Sequence, residues 1–162
     1  MKEIEAIRKH PLYVEYYDKL KKAEEGRRFC CHQMEHFLDV ARIAYISNLE
    51  ENMGIRKEVI YAAALLHDIG KCRQYEEGIP HEEASAQIAE VILGELPEHF
   101  FSRKESREIV QAILGHRRER NGMGKLERLL YASDKRSRNC FSCGSEAECS
   151  WSAEKKNLEI AV

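Results

Sequence analysis

Along residues 33–49, Phe37, Val40, Ile43 and Ala44 recur at the three-and-four spacing of one helix face, and His36 shares that face. Residues 58–67, EVIYAAALLH, are apolar nearly all round and rich in alanine and leucine. That composition predicts a helix buried in the middle of the fold, with Gly70 as a stop beyond it. Residues 71–80, KCRQYEEGIP, read as a loop ending in Gly78 and Pro80. The next helix carries Ala84, Ile88, Val91, Ile92 and Leu96 and stops near Pro97. Ser102 and Glu105 have capping-box spacing ahead of Ile109, Ala112, Ile113 and His116. Asn121-Gly122 marks a turn before a helix in which Leu126, Leu130 and Asp134 step by four. The first thirty residues, with Tyr13, Tyr16 and Tyr17 beside Leu12 and Leu20, predict an amphipathic helix packed on the domain, with dimerisation as the alternative use. No stretch alternates with period two. The expected class is all-α, five or more helices bundled around one buried helix, and the periodicity fades beyond Arg136.

At 162 residues the chain is expected to form one domain over 1–162, able to bury about 70% of its unfolded surface. Its core spans roughly 30–140, after an N-terminal helix within 1–29 and before a cysteine-containing tail, 136–162. Lys plus Arg total 26 and Asp plus Glu 28, a net charge of −2. That balance lacks the basic excess of a nucleic-acid binder. The longest uncharged apolar run, Val59 to Leu66, is too short to span a bilayer. The opening MKEIEAIRKH has no apolar signal-peptide stretch, so a cytoplasmic location is expected. In a reducing compartment the six cysteines are expected to be free thiols. Cys140 and Cys143 stand in CxxC spacing with Cys149 close behind; zinc or an iron–sulfur centre completed by Cys30, Cys31 or Cys72 is the alternative.

The chemistry-bearing residues are His36, His67, Asp68, His81, His116 and Asp134, with His32 one helical turn before His36. A lone histidine on an apolar face is more often a satisfied core residue than a ligand. An Asp and a His at the end of the most buried helix, however, must be paired, hydrogen-bonded or metal-bound, because burying them otherwise is costly. Imidazoles mixed with carboxylates suit a divalent transition metal.

His36-Phe-Leu-Asp-Val40-Ala41, the apolar run into His67-Asp68-Ile-Gly-Lys71, and Tyr131-Ala-Ser-Asp134 together resemble the HD-domain superfamily of metal-dependent phosphohydrolases. The resemblance covers roughly residues 30–140. It implies a metal held by His36, His67, Asp68 and Asp134. His81 and His116 fall where the binuclear branch binds a second metal, with Asp68 bridging; the alternative is that they hold substrate phosphate around a single ion. That branch includes HD-GYP phosphodiesterases and diadenosine tetraphosphate hydrolases, and the chain looks more similar to the latter. It departs from both: no Gly-Tyr-Pro element follows, and the arginine downstream of the last Asp sits differently, as Arg136 or Arg138.

The implied cofactor is one or two ions of iron, manganese, cobalt or zinc, with magnesium or nickel as alternatives. The implied reaction is cleavage of a small phosphorylated substrate, a nucleotide in the first instance, through a metal-activated water. Asp68 and Lys71 are the expected catalytic residues, and Lys71, Arg117 and Arg138 the expected substrate contacts. Arg118 and Lys135 read as solvated. Neither a membrane nor a nucleic-acid polymer is an expected partner; a homodimer is left open. Two other classes remain: a di-iron oxygenase of the same superfamily and a non-catalytic nucleotide-binding module. No Gly-rich phosphate loop and no Ser-His-Asp arrangement offers a rival chemistry.

Overall fold

A computed structural model describes residues 1–160. Its helices are α1 (Lys2–Lys9), α2 (Pro11–Ala23), α3 (Met34–Glu50), α4 (Lys57–Leu66), α5 (Lys71–Glu77), α6 (His81–Glu95), α7 (Arg103–Gly115) and α8 (Lys125–Arg136). Three single turns of 3-10 helix follow, at Cys140–Ser142, Glu146–Glu148 and Ala153–Lys155. Among the described residues there is no strand, so the chain is all-α. No helix of the structure is long and apolar enough to cross a membrane.

The all-apolar stretch is indeed the central helix. Val59, Ile60 and every residue from Ala62 to Leu66 are buried, and α1, α3, α6, α7 and α8 all pack on α4. Phe37, Ile69, Ile92, Ile113 and Leu130 are among its fully buried neighbours in the common core. Both arms of the α7 capping box form: the Ser102 hydroxyl accepts from Glu105 N at 3.2 Å, and Ser102 N donates to Glu105 Oε2 at 2.7 Å.

Two expectations fail locally. The N-terminal helix is two helices, because Pro11 lacks an N–H and forces His10 into extended backbone (φ −63°, ψ 133°). Proline then serves as the first residue of α2, where its missing donor costs nothing. Residues 71–77, read as a loop, form α5. Gly70 does not stop a helix; the chain turns there and re-enters helix, supported by the Arg73–Glu77 pair at 2.9 Å, and only Gly78, at φ 72°, ends it. That extra helix brings His81 back over the end of α4.

Candidate metal centre

Every candidate donor lies at a helix end. His67 and Asp68 follow α4, His36 is in the first turn of α3, His81 opens α6, His116 caps α7, and Asp134 is in the last turn of α8. The five helices converge at that end, and the rings and carboxylates meet in the interior. His67, Asp68, His116 and Asp134 are at most 2% exposed, and His81 is 7% exposed.

Asp68 stands between two groups. Its Oδ2 faces His67 Nε2 at 3.4 Å and His36 Nε2 at 3.8 Å, while Asp134 Oδ1 lies 3.4 Å from His36 Nε2 and 3.8 Å from His67 Nε2. Its Oδ1 faces His81 Nε2 at 3.3 Å and His116 Nε2 at 3.5 Å. Each group has its donor atoms within 4.8 Å of one another.

The imidazoles are oriented from behind. His67 Nδ1 donates to Ala64 O at 2.7 Å, His116 Nδ1 to Ile113 O at 2.6 Å, and His81 Nδ1 to Gln74 Oε1 at 2.6 Å. The Ser137 hydroxyl donates to Asp134 O at 2.8 Å, so at 3.2 Å from His36 Nδ1 it accepts. These bonds fix the tautomer and leave each Nε2 with a lone pair. Yet the Nε2 atoms of His36 and His67 are 3.3 Å apart, and those of His81 and His116 3.2 Å. Facing lone pairs repel, whereas two nitrogens bound at 2.0–2.1 Å to one ion sit about 2.9–3.4 Å apart. Asp68 Oδ1 is buried without a hydrogen-bond partner, another group that a cation would satisfy. The residues present therefore fit divalent metal.

Electrostatics agree. Burial alone would raise the Asp68 pKa, but the neighbouring Lys71 and His67 outweigh it and hold the carboxyl well below the usual range. Asp134 is likewise held low, burial being outweighed by the adjoining His36 and His67 and by Arg138 and Lys135. Burial pushes His81 down to about 3. Both carboxylates are thus held ionised and His81 neutral, the states that bind metal, while the two acids raise His67.

The cations expected at substrate divide. Lys71 Nζ lies 3.8 Å from Asp68 Oδ2. Arg138 is turned to the acid instead, its Nη2 on Asp134 Oδ1 at 3.0 Å and its guanidinium over the Trp151 ring at 5.0 Å. Arg117 is exposed and paired with Glu82 at 3.2 Å, so the structure does not bring it to the cluster. Lys135, read as solvated, hydrogen-bonds Asp134 Oδ2; Arg118 is exposed.

His32 is not a helical turn before His36; it lies in the connection ahead of α3. It is nonetheless buried, with Nε2 3.8 Å from Asp68 Oδ2 and Nδ1 2.6 Å from Glu24 Oε1. Glu24, 2% exposed, also accepts from His32 N at 2.6 Å and Tyr75 Oη at 3.0 Å. Glu24 carries no sequence signal: it sits in the charged run KKAEEGRR, which reads as surface. Gln74 was hidden by the loop reading of 71–80, since only on a helix does it face His81.

A family model of the HD domain matches residues 34–139. An uncharacterized protein of Clostridium beijerinckii is 48% identical over 148 residues, 91% of each chain. Among solved structures, a protein titled as a predicted HD superfamily hydrolase from an uncultured Thermotogales bacterium aligns over 90% of this chain and 81% of its own. Its TM-score is 0.61 at 21% identity, which is a likeness of fold.

Proposed function

The chain belongs to the HD-domain family, and from that premise we propose that it is a metal-dependent phosphohydrolase acting on a small phosphorylated substrate such as a nucleotide. The observation that carries the proposal is Asp68: one oxygen turned to His36 and His67, the other turned to His81 and His116 and buried without a hydrogen bond. His36, His67, Asp68 and Asp134 would hold one ion, and Asp68, His81 and His116 a second, the arrangement of the superfamily's binuclear branch. Imidazole and carboxylate donors accept iron, manganese, cobalt or zinc. Divalent metal, when bound, lowers the pKa of water to about 7 and polarises a phosphoryl oxygen.

The chain's own groups supply the rest. The backbone carbonyls of Ala64 and Ile113 and the side chains of Gln74 and Ser137 hold the rings in place, so little reorganisation is needed when substrate arrives. Lys71 places an ammonium beside Asp68, where it can donate to an anionic phosphoryl oxygen. Arg138 and Lys135 sit on Asp134 and keep it ionised; they serve the acid and not the substrate. The solved relative titled as a hydrolase is consistent with this class of reaction.

The test is turnover. Protein loaded separately with manganese, iron, cobalt and zinc is assayed against a panel of nucleotides and phosphoesters. Phosphate or nucleotide release is expected with at least one metal, and Asp68→Ala abolishes it while the helical CD spectrum persists. Full metal-dependent turnover in Asp68→Ala would overturn the proposal, as would oxygen uptake by the ferrous protein in place of any hydrolysis.

A further inference from the structure

The segment after α8 has no apolar anchor. Of residues 137–160 only Ser137 and Ser145 are buried, while Phe141, Leu158 and Ile160 are exposed. Polar contacts shape it: Asn157 Nδ2 donates to the carbonyls of Lys135, Arg136 and Arg138 at 2.7–3.0 Å, and Lys156 Nζ reaches Glu146 Oε1 at 2.7 Å. Such contacts net about 1 kcal/mol or less each, against about 1–2 kcal/mol per residue to order the backbone. Segments that cannot build a core are usually held by a disulfide or a metal. None of the cysteines is in a disulfide.

Cys140, Cys143 and Cys149 of this segment, with Cys30 from the connection between α2 and α3, line one cavity of about 200 Å³. The two stretches are joined there by an Arg28–Glu148 ion pair and by the Ser145 hydroxyl, which donates to Arg28 O at 3.2 Å. Cys31 does not line the cavity; its thiol is turned to Phe29 O at 3.6 Å. Cys72 is buried in α5. Of the three candidates for a fourth thiolate, only Cys30 is in place.

Among the described residues, no three of these sulfurs lie within 4.8 Å of one another. Thiolates on a single zinc, at about 2.3 Å from the ion, stand about 3.8 Å apart. The thiols thus ring a space wider than one ion's shell. The lining carries Arg28, Arg138 and Lys156, each in an ion pair, with Glu148, Asp134 and Glu146 respectively. Arg138, with its side chain 10% exposed, has a buried Nε without a hydrogen-bond partner, the kind of donor that tunes a sulfur-rich cluster.

We propose that Cys30, Cys140, Cys143 and Cys149 ligate an iron–sulfur cluster that staples the last segment of the chain to the connection before α3. Arg138 links the two centres, since the same guanidinium binds Asp134 Oδ1 at 3.0 Å.

The experiment uses the full chain, purified anaerobically and reconstituted with ferrous iron and sulfide. Iron, acid-labile sulfide and visible sulfur-to-iron absorption are measured in the parent, Asp68→Ala, Cys72→Ser and a Cys140→Ala/Cys143→Ala double variant. Sulfide separates this centre from the imidazole site, whose ions carry none, so either proposal can fail alone. The expected result is sulfide and absorption retained in Asp68→Ala and Cys72→Ser and lost in the double variant, with its helical CD intact. Zinc without sulfide, sulfide retained in the double variant, or ready alkylation of Cys140, Cys143 and Cys149 in the reconstituted protein would each overturn it.

Discussion

Asp68 Oδ1 lies 3.3 Å from His81 Nε2, across the junction between the end of α4 and the start of α6. Gly70 permits that approach. Its N–H donates to Ser85 Oγ at 2.9 Å, and a Cβ on it would stand 2.5 Å from Ser85 N and 2.6 Å from the Ala84 carbonyl carbon. Backbone cannot yield as a flexible side chain would, so Gly70→Ala must push α6 away. The expected cost is about 1–3 kcal/mol, and the His81–His116 group is disturbed more than the His36–His67 group. Calorimetric titration with manganese should show one binding event weakened tenfold or more and the other retained. Equal weakening of both would contradict this role.

Glu24 accepts three hydrogen bonds inside the protein and orients His32 towards Asp68. Removing a buried charged acceptor leaves its donors unpaired, so Glu24→Ala should cost about 3 kcal/mol. For a domain of this size that lowers Tm by about 6–12 °C, with Glu24→Gln intermediate. A Tm within about 2 °C of the parent, the shift expected for less than about 1 kcal/mol, would place Glu24 in solvent.

Without metal, stability should fall on acidification. Burial lowers the His32 pKa to about 4 and that of His81 to about 3, and moves His36 the same way. In the unfolded chain these groups titrate near 6.5. Between those values the unfolded chain binds protons that the folded chain refuses, so stability rises with pH; it is fully present above about pH 6.5 and lost towards pH 4. His67 acts oppositely: burial is outweighed by Asp68 and Asp134, its pKa is raised, and its contribution is present below about pH 6.5 and lost as pH climbs through the raised value. Asp68 and Asp134, held low, stay ionised across the acid window. Urea unfolding of chelator-treated protein should lose about 2 kcal/mol from His32 alone between pH 7 and pH 5. A flat profile over that range would mean that the rings are hydrated.

Lys71 and Arg117, equivalent as expected substrate contacts, should separate in kinetics. Lys71 is mostly buried beside Asp68, whereas Arg117 is an exposed partner of Glu82. Lys71→Ala should lower kcat/KM about 100-fold, the scale of losing one donor to developing charge. Arg117→Ala should change it by no more than about threefold, because an exposed pair is worth under about 1 kcal/mol. The reverse order would reassign the phosphate contact to Arg117.

The helices that build the core were legible because burial imposes either a three-and-four rhythm, as for Phe37, Val40 and Ala44 on α3, or an apolar surface all round, as for Ala62 to Leu66 on α4. His36, His67, Asp68, His116 and Asp134 were legible as candidate donors because a polar group at the end of an apolar face costs too much to be accidental, whereas His81 was singled out only through the family resemblance. α5 was not legible, since its one buried residue, Cys72, sets no period, and Gly70 and Gly78 flank it like loop residues. The break between α1 and α2 is written in the sequence as Pro11, which forces His10 into extended backbone. Glu24 was out of reach for another reason. Its burial depends on α2 folding back beside His32 and Tyr75, a tertiary placement that the local run of charges contradicts.

The proposed binuclear centre has Asp68 shared between two ions. Anomalous diffraction from crystals of manganese-loaded protein reads it directly. Two peaks about 3.5–4 Å apart are expected, one bonded to His36, His67 and Asp134, the other to His81 and His116, with Asp68 touching both. A map with a single peak, or with none in contact with Asp68, would contradict it.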